Sequence, residues 1–505
     1  MSRSVVKITL LAVSAVLLSG CRKQPRPKVE LSISSKLRLD GVTIVDTHDG
    51  KLTPGMSILM DKGRIVNITP TTEVLKDPLI TSIDATGRFA IPGFNNMHMH
   101  VIDQVDSSSV LARMLADGVT GFRQMTGSPE FLEARRDGTL PVERDAPALL
   151  VMPGSLLTPF NARSANEVTE EIRQQKNQGA DFIKVGLVSP EVFFAAIAEG
   201  KRVGLPVLGH LQEGVDAAQA SREGFRSIEH LGPGDSIWIG CSTEGAVLLA
   251  DAARHPTVKT PLITIPVFVQ RMLLKHLQRR LINPAAFDEP AYTARLQRAF
   301  DSYSETKCRA LAAVFVANNT WNVPTLVRLR TQELADSPEY LNDPALPYIR
   351  AESLKEWREV TDKFHKLPPA MHETDREEYR RQMALTKLFD DAGVRMMVGT
   401  DGGGQAPGQS IHQEFDELAK AGLSPFKIVQ MTTLYPAEFL GRTATMGGIE
   451  VGKNADIVLL NGNPVESVQN LHSIAGVVRA GFYYSHDDLD ALRERAKEPR
   501  KARVP

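Results

Sequence analysis

Ile91-Pro92-Gly93-Phe94-Asn95-Asn96-Met97-His98-Met99-His100 runs from an apolar approach into two histidines at positions i and i+2. In an extended chain such residues lie on one side, so both imidazoles can reach a single ion from the end of a strand. A His-X-His pair arises by chance in many proteins, so its meaning depends on what recurs elsewhere. Lys184 closes Asp181-Phe182-Ile183-Lys184-Val185, His210 closes Val207-Leu208-Gly209-His210, and His230 closes Ser227-Ile228-Glu229-His230. Asp401 closes Val398-Gly399-Thr400-Asp401. Each has a bland reading alone: His210 as a satisfied core histidine, Asp401 before two glycines as an Asx turn. Six metal-capable side chains at the ends of five strands are harder to assign to packing.

Around these endings, apolar strand candidates alternate with helix-period segments, the pattern of a parallel α/β architecture. The candidates are Phe89 to Phe94, Val119 to Gln124, Ala148 to Met152, Phe182 to Leu187, Pro206 to His210, Ser227 to Leu231, Asn322 to Val327 and Arg395 to Thr400. Eight such units predict a (β/α)8 barrel over residues 89–444, with its active site at the C-terminal strand ends. Helical insertions are expected at about 235–320 and 330–390. The second starts at the barrel mouth, where it is either a lid or decoration. Short alternating runs with Asp40-Gly41, Asp49-Gly50 and Lys62-Gly63 turns fill residues 36–88, and the same texture returns over 445–490. The two stretches predict one small β-sandwich domain built from both chain ends.

The composition fits a large globular chain: 505 residues, 42% hydrophobic and 24% charged. Lys+Arg (59) nearly balance Asp+Glu (60), so no net field draws the chain to nucleic acid. Only the C-terminal tail, 491–505, is basic. At the other end, Arg3 and Lys7 precede the apolar run Ile8 to Leu18, which is too short to span a bilayer core of about 30 Å and suits a signal peptide over residues 1–20. Leu18-Ser19-Gly20-Cys21 resembles a bacterial lipobox. That resemblance implies a lipid on Cys21, an anchor in the bacterial cell envelope facing the periplasm or the outside, and a tether over 21–35. Cys241 and Cys308 are either a pair or two thiols, since sequence fixes no distance between them.

Taken together, the Pro-Gly-Phe approach to His98 and His100, Asp181 to Val185, Gly209-His210 through Leu231, Gly399-Thr400-Asp401, Met431 to Gly441 and Gly448 to Val458 resemble the metal-dependent amidohydrolase superfamily, in its imidazolonepropionase-like and prolidase-like branch. The resemblance implies a distorted barrel that cleaves an amide or related C–N bond in a small molecule such as a dipeptide, an N-acyl amino acid or a cyclic amide. It implies two divalent metal ions, with zinc the first choice among ions that suit imidazole and oxygen donors. His98, His100 and Asp401 would hold the more buried ion, and His210 with His230 the second. Lys184 would bridge them as a carbamate, since an ammonium cannot ligate a cation. A hydroxide between the ions would attack the carbonyl, with Asp401 as the catalytic proton carrier. Two positions depart from the family pattern: Asn96 and Gln124 stand where aspartate is common.

Two other readings compete. His210-Leu211-Gln212-Glu213 has the His-X-X-Glu spacing of mononuclear deaminases and imidazolonepropionases, in which the glutamate shuttles protons. Lys184 argues against it, because such an enzyme has no need of a lysine there. A non-catalytic substrate-binding lipoprotein is the reading from another class, though a degraded site should have lost ligands. His412 and Glu414 follow the eighth strand; the resemblance places a similar His-X-Glu close to the mouth, a helix start accounts for both at least as well, and they stay outside the expected site. Substrate identity and oligomeric state are not legible in the sequence.

Overall fold

The computed structural model describes residues 36–497 apart from 105, 141, 143–144, 233, 255–278, 404–405, 407 and 409. Cys21 and the whole signal and tether region therefore lie outside the described residues. The chain enters as β1 (Lys36–Val45), β2 (Leu52–Asp61), β3 (Arg64–Pro70), β4 (Ile80–Asp84) and β5 (Phe89–Pro92). It passes through β6 (Phe94–Met99), β7 (Val119–Gln124), β8 (Ala148–Val151), β9 (Ile183–Val185), β10 (Val207–Gly209), β11 (Ser227–Glu229) and β12 (Trp321–Val323). It returns as β13 (Ile457–Leu460), β14 (Ile474–Arg479) and β15 (Phe482–Ser485).

The first five and last three strands form one hydrogen-bonded sheet in the order β15-β14-β13-β5-β1-β2-β3, with β4 also on β1. Lys62 and Gly63, both at positive φ (48° and 73°), make the tight turn between β2 and β3. Register shifts after Leu39 and Val42 bend β1, so that its first half pairs with β4 and its second with β5. Leu39, Ile58, Met60, Ile457, Leu459 and Val478 share one buried core, which joins the two chain ends.

The boundary of this domain lies later than the sequence suggests. Phe89 to Pro92 belongs to the small domain, where it pairs with β1 and β13, and the first barrel strand is Phe94–Met99. The uninterrupted apolar run gives no sign of the change because both strands are buried on both faces. Gly93 marks the crossing: a Cβ there would sit 2.0 Å from Thr120 Oγ1.

The barrel is a parallel ring. One arc is β6-β7-β8 and the other β9-β10-β11-β12, and Leu157 joins them through its bridge to Val185. The eighth stave, residues 395–398, is an extended segment. It bonds Asn322 on one side (Asn322 N to Arg395 O, 3.0 Å) and Met97 on the other (Met97 N to Val398 O, 2.8 Å). The helices between the staves start where serines cap them, as at Ser164 and Ser189.

The seventh strand ends at Val323, short of the expected Val327. Thr325 turns left-handed (φ 49°) and the helix Leu326–Glu333 begins at once. In the insertion after β11, Cys241 and Cys308 form a disulfide that spans 67 residues. The first part of the expected tail is helical through Lys497, and residues 498–505 lie outside the described residues: Leu489, Leu492 and Ala496 at i, i+3 and i+7 are buried, and the helix His486–Lys497 packs against Ser107–Ala116.

Candidate metal centre

Five of the six expected ligands, the four histidines and Asp401, form one run of close neighbours at the C-terminal mouth of the barrel. His98 Nε2 and His100 Nε2 each lie 3.1 Å from Asp401 Oδ1. The His98 and His230 rings stand 4.6 Å apart between centroids, and His230 and His210 stand 5.2 Å apart. Ligand atoms of His98, His230 and Asp401 fall within 4.8 Å of one another, a spacing one ion can bridge. Lys184 reaches the same space from β9, and its charge bears on His98, His210 and His230. Its Nζ is fully buried with no hydrogen-bond partner.

Local backbone conformations place two of these groups. His230 (φ 57°) and Asp401 (φ 55°) occupy the left-handed region, which costs a non-glycine residue on the order of 1–3 kcal/mol and persists where the surrounding structure imposes it. In a regular strand His230 would alternate away from the mouth; the left-handed turn redirects it.

A set of groups that the sequence reading gave no role holds the ligands from behind. Glu229 Oε2 lies 2.7 Å from His98 Nδ1, which leaves Nε2 to face the centre. Arg123 Nη2 donates to both oxygens of Glu229, at 2.8 and 2.9 Å, and all three side chains are buried. Thr126 Oγ1 bonds His100 Nδ1, and Thr325 Oγ1 lies 2.6 Å from His230 Nδ1. Each imidazole of these three therefore has its outer nitrogen occupied, the arrangement that fixes tautomer and ring orientation in metal sites. Arg328 Nε donates to Asp401 Oδ2 at 3.0 Å, and its other nitrogens donate to the carbonyls of Leu281 and Ile282.

The electrostatics favour binding a cation. Burial, helped by the charge of Lys184, lowers the proton affinity of His98, and burial takes His210 and His230 well below the ordinary imidazole range. Neutral imidazoles are the form that ligates metal. Burial alone would raise Asp401; its electrostatic interaction with the His230 and His98 rings and the hydrogen bonds from His100 and His98 hold it well below the usual carboxylate range. Burial also lowers Lys184 to about 8, against the opposing pull of Glu229 and Asp401. Neutral nitrogen donors, an ionised carboxylate and an orphaned buried amine fit a divalent-metal site.

Most of the remaining polar residues have structural partners. Asn96 Nδ2 donates to Thr400 Oγ1 at 3.0 Å, tying β6 to the segment that carries Asp401. Gln124 Oε1 accepts from the backbone of Val101 and Ile102 and so holds the loop after His100. Glu213 is ion-paired to Arg295 at 2.8 Å, and Arg295 also binds Asp235. His412 and Glu414 lie on a helix started by a Ser410–Gln413 capping box, and Glu414 Oε2 accepts from Val327 N at 2.7 Å.

Residues 364–482 match the amidohydrolase family. A stretch of 65 residues is 37% identical to an adenine deaminase from Shewanella halifaxensis (strain HAW-EB4), covering 13% of this chain and 11% of that protein. The chain thus spans about a tenth of the length of the curated relatives it matches. Among solved structures, bottromycin amidohydrolase is similar over 92% of this chain and 91% of its own, with TM-score 0.65 and 22% identity. A Xaa-Pro dipeptidase with methionine bound in its active site is similar over 89% of this chain and 100% of its own, with TM-score 0.59 and 18% identity. At these identities the likeness is one of fold.

Proposed function

Because the chain has an amidohydrolase-like fold and its residues 364–482 match that family's model, we propose that it is a metal-dependent hydrolase of carbon–nitrogen bonds, using two divalent ions, zinc by preference, on a dipeptide, N-acyl amino acid or cyclic amide. The observation that carries this reading is Lys184 Nζ, buried and without a partner, on β9 within electrostatic reach of His98, His210, His230 and Asp401. A lysine placed only for packing would find an acceptor; an amine waiting to become a carbamate need not. Addition of carbon dioxide forms an N–C bond and releases a proton, which turns the orphan into an anionic oxygen donor beside His98, His210, His230 and Asp401. When bound, the ions supply the charge that polarises a carbonyl and makes water acidic near neutral pH.

The protein's own groups orient and move the proton. Arg328 holds Asp401 Oδ2, so that Oδ1 faces the histidine pair. Asp401 then takes a proton from the attacking water and returns it to the departing amine. Glu229 and Thr126 hold the outer nitrogens of His98 and His100, so neither ring can turn away. The mononuclear alternative asks Glu213 to shuttle protons, and its pairing with Arg295 opposes that role.

The test is metal analysis joined to a screen of dipeptides and N-acyl amino acids with reconstituted protein. About two equivalents of metal with hydrolysis is the expected result. One equivalent returns the mononuclear reading, and none after supplementation returns the non-catalytic one. The same reading has Cys21 carry the lipid anchor. The Cys241–Cys308 pairing supports an oxidising compartment, and Cys21→Ser should leave the protein unprocessed or outside the membrane fraction.

A further inference from the structure

A cleft of ≈ 150 Å³ lies between the length of the helix Ser107–Ala116 and the start of the helix Ala351–Phe364. Its volume is comparable to that of cavities that accept a six-membered ring. None of the six expected metal ligands lines it. Four charged side chains do: Arg113 and Arg350, and Asp106 and Glu352.

Among the described residues none of these four is ion-paired, with each other or with any neighbour, although charged groups elsewhere in the fold commonly are. One ordinary local use is also unfilled: Asp106 stands at the N-cap of its helix and its side chain does not cap it, while Arg350, at the N-cap of the other helix, carries only donors and has no capping bond to make. The Arg113 guanidinium lies 4.8 Å from the ring centroid of Tyr348, which also borders the cleft; stacking of this kind orients the group and leaves its donors open. Beside it Ser109, 4% exposed, has a hydroxyl with no hydrogen-bond partner.

Two cations and two anions around one cavity, not neutralising one another, have zero net charge. A simple anion would meet Asp106 and Glu352, and a simple cation would meet the arginines. A small molecule that carries both charges satisfies all four. We propose that this cleft binds a free α-amino acid as its zwitterion, with the carboxylate on Arg113 and Arg350 and the ammonium on Asp106 and Glu352.

The cleft wall includes Gly403, two residues beyond Asp401. An adjoining cavity of ≈ 30 Å³ shares Val110, Arg113 and Gly403 with it and extends to Gly402 and Asn96. Gly402 O accepts the His100 backbone N–H at 2.8 Å. An occupant therefore bears on the loop that carries two expected ligands. The binding claim stands apart from the hydrolytic reading; if that reading also holds, the ligand has the chemistry of a reaction product.

The test is calorimetric titration of the purified protein with L-alanine and L-leucine, beside propionate and propylamine as single-charge controls, with and without prior metal removal. Saturable binding of the amino acids in the millimolar range or tighter is expected, at least tenfold weaker for either control and unchanged by metal removal. Arg350→Glu, at an exposed position, and Arg113→Ala should each weaken it at least tenfold, with thermal melts reporting whether each variant is folded. Should Arg113→Ala not fold, Arg350→Glu carries the test. Absence of saturable binding, affinity indifferent to Arg350→Glu, or affinity lost with the metal would overturn the proposal, the last by returning the ligand to the metal centre.

Discussion

Lys184 and Glu229 are both buried charges in the same ring of strands, yet they stand in opposite situations. Glu229 is satisfied by Arg123 and His98, whereas Lys184 has no partner. Removing them should therefore fail in different ways. On the proposed reading Lys184→Ala deletes the bridging donor: metal content and turnover should fall together, by about 100-fold or more in turnover, while the melting temperature holds or rises because a desolvated amine is gone. Added short-chain carboxylates should restore part of both. Normal metal and turnover in that variant, with Glu213→Gln inactive, would favour the mononuclear reading instead. Glu229→Gln leaves Arg123 buried without its anion and frees the His98 ring. Loss of metal affinity of about 10- to 100-fold is expected from the outer contact, with a lower melting temperature in the metal-free protein, since breaking a buried pair costs about 3–5 kcal/mol. Metal titration of folded Glu229→Gln with wild-type affinity would remove its positioning role. The ligands were legible because a histidine, lysine or aspartate is out of place at the end of an apolar strand. Arg123 and Glu229 carried a signal of the same kind, being charges inside strands that must be buried, but their partnership depends on which strands lie across the barrel. Thr325 and Arg328 reach the site from the turn after β12 and the helix that follows it, a course that no local pattern reveals.

Among the helices of the second insertion, one cluster makes a test by pH. Asp375 and Glu378 on the helix Pro369–Asp391 and Glu333 at the end of Leu326–Glu333 are all buried. Glu333 Oε2 and Asp375 Oδ2 have no hydrogen-bond partner. Burial, reinforced by neighbouring carboxylates, raises Asp375 to about 8 and Glu378 to about 8. The folded chain thus keeps protons that the unfolded chain releases near pH 4. The stabilisation from these groups is complete below that value and is lost as pH rises through about 8. The melting temperature should fall between pH 5 and 8.5, and Asp375→Asn with Glu378→Gln should flatten the fall. Parallel curves for wild type and double variant would show that the slope arises elsewhere. The helical character of this region was readable from its composition; the meeting of its acids was not, because they come from separate helices. The same limit applies to strands. The run from Phe89 to Phe94 is equally apolar in both sheets it serves, and only the hydrogen bonds show where one domain ends.

Across the molecule, two links join distant parts of the chain. The disulfide ties residues 241 and 308 across the first insertion. By loop-closure entropy a bond spanning 67 residues contributes about 4 kcal/mol, so Cys241→Ser with Cys308→Ser should lower the thermal midpoint by several degrees, as should a reductant on wild type but not on the double variant. A reductant effect that persists in the double variant would place the sensitivity outside this bond. The second link is the sheet in which β5 pairs with β13. The chain emerges from its N-terminus, so Pro92 precedes its partner Ile457 by about 365 residues, and the partner strand arrives after an interval. For that interval β5 presents a bare hydrogen-bonding edge beside a completed hairpin, the kind of surface that holdase chaperones cover and that aggregation exploits. A premature stop anywhere in the barrel would make that waiting state permanent, so the last strands of the chain act as a seal that certifies a full-length product.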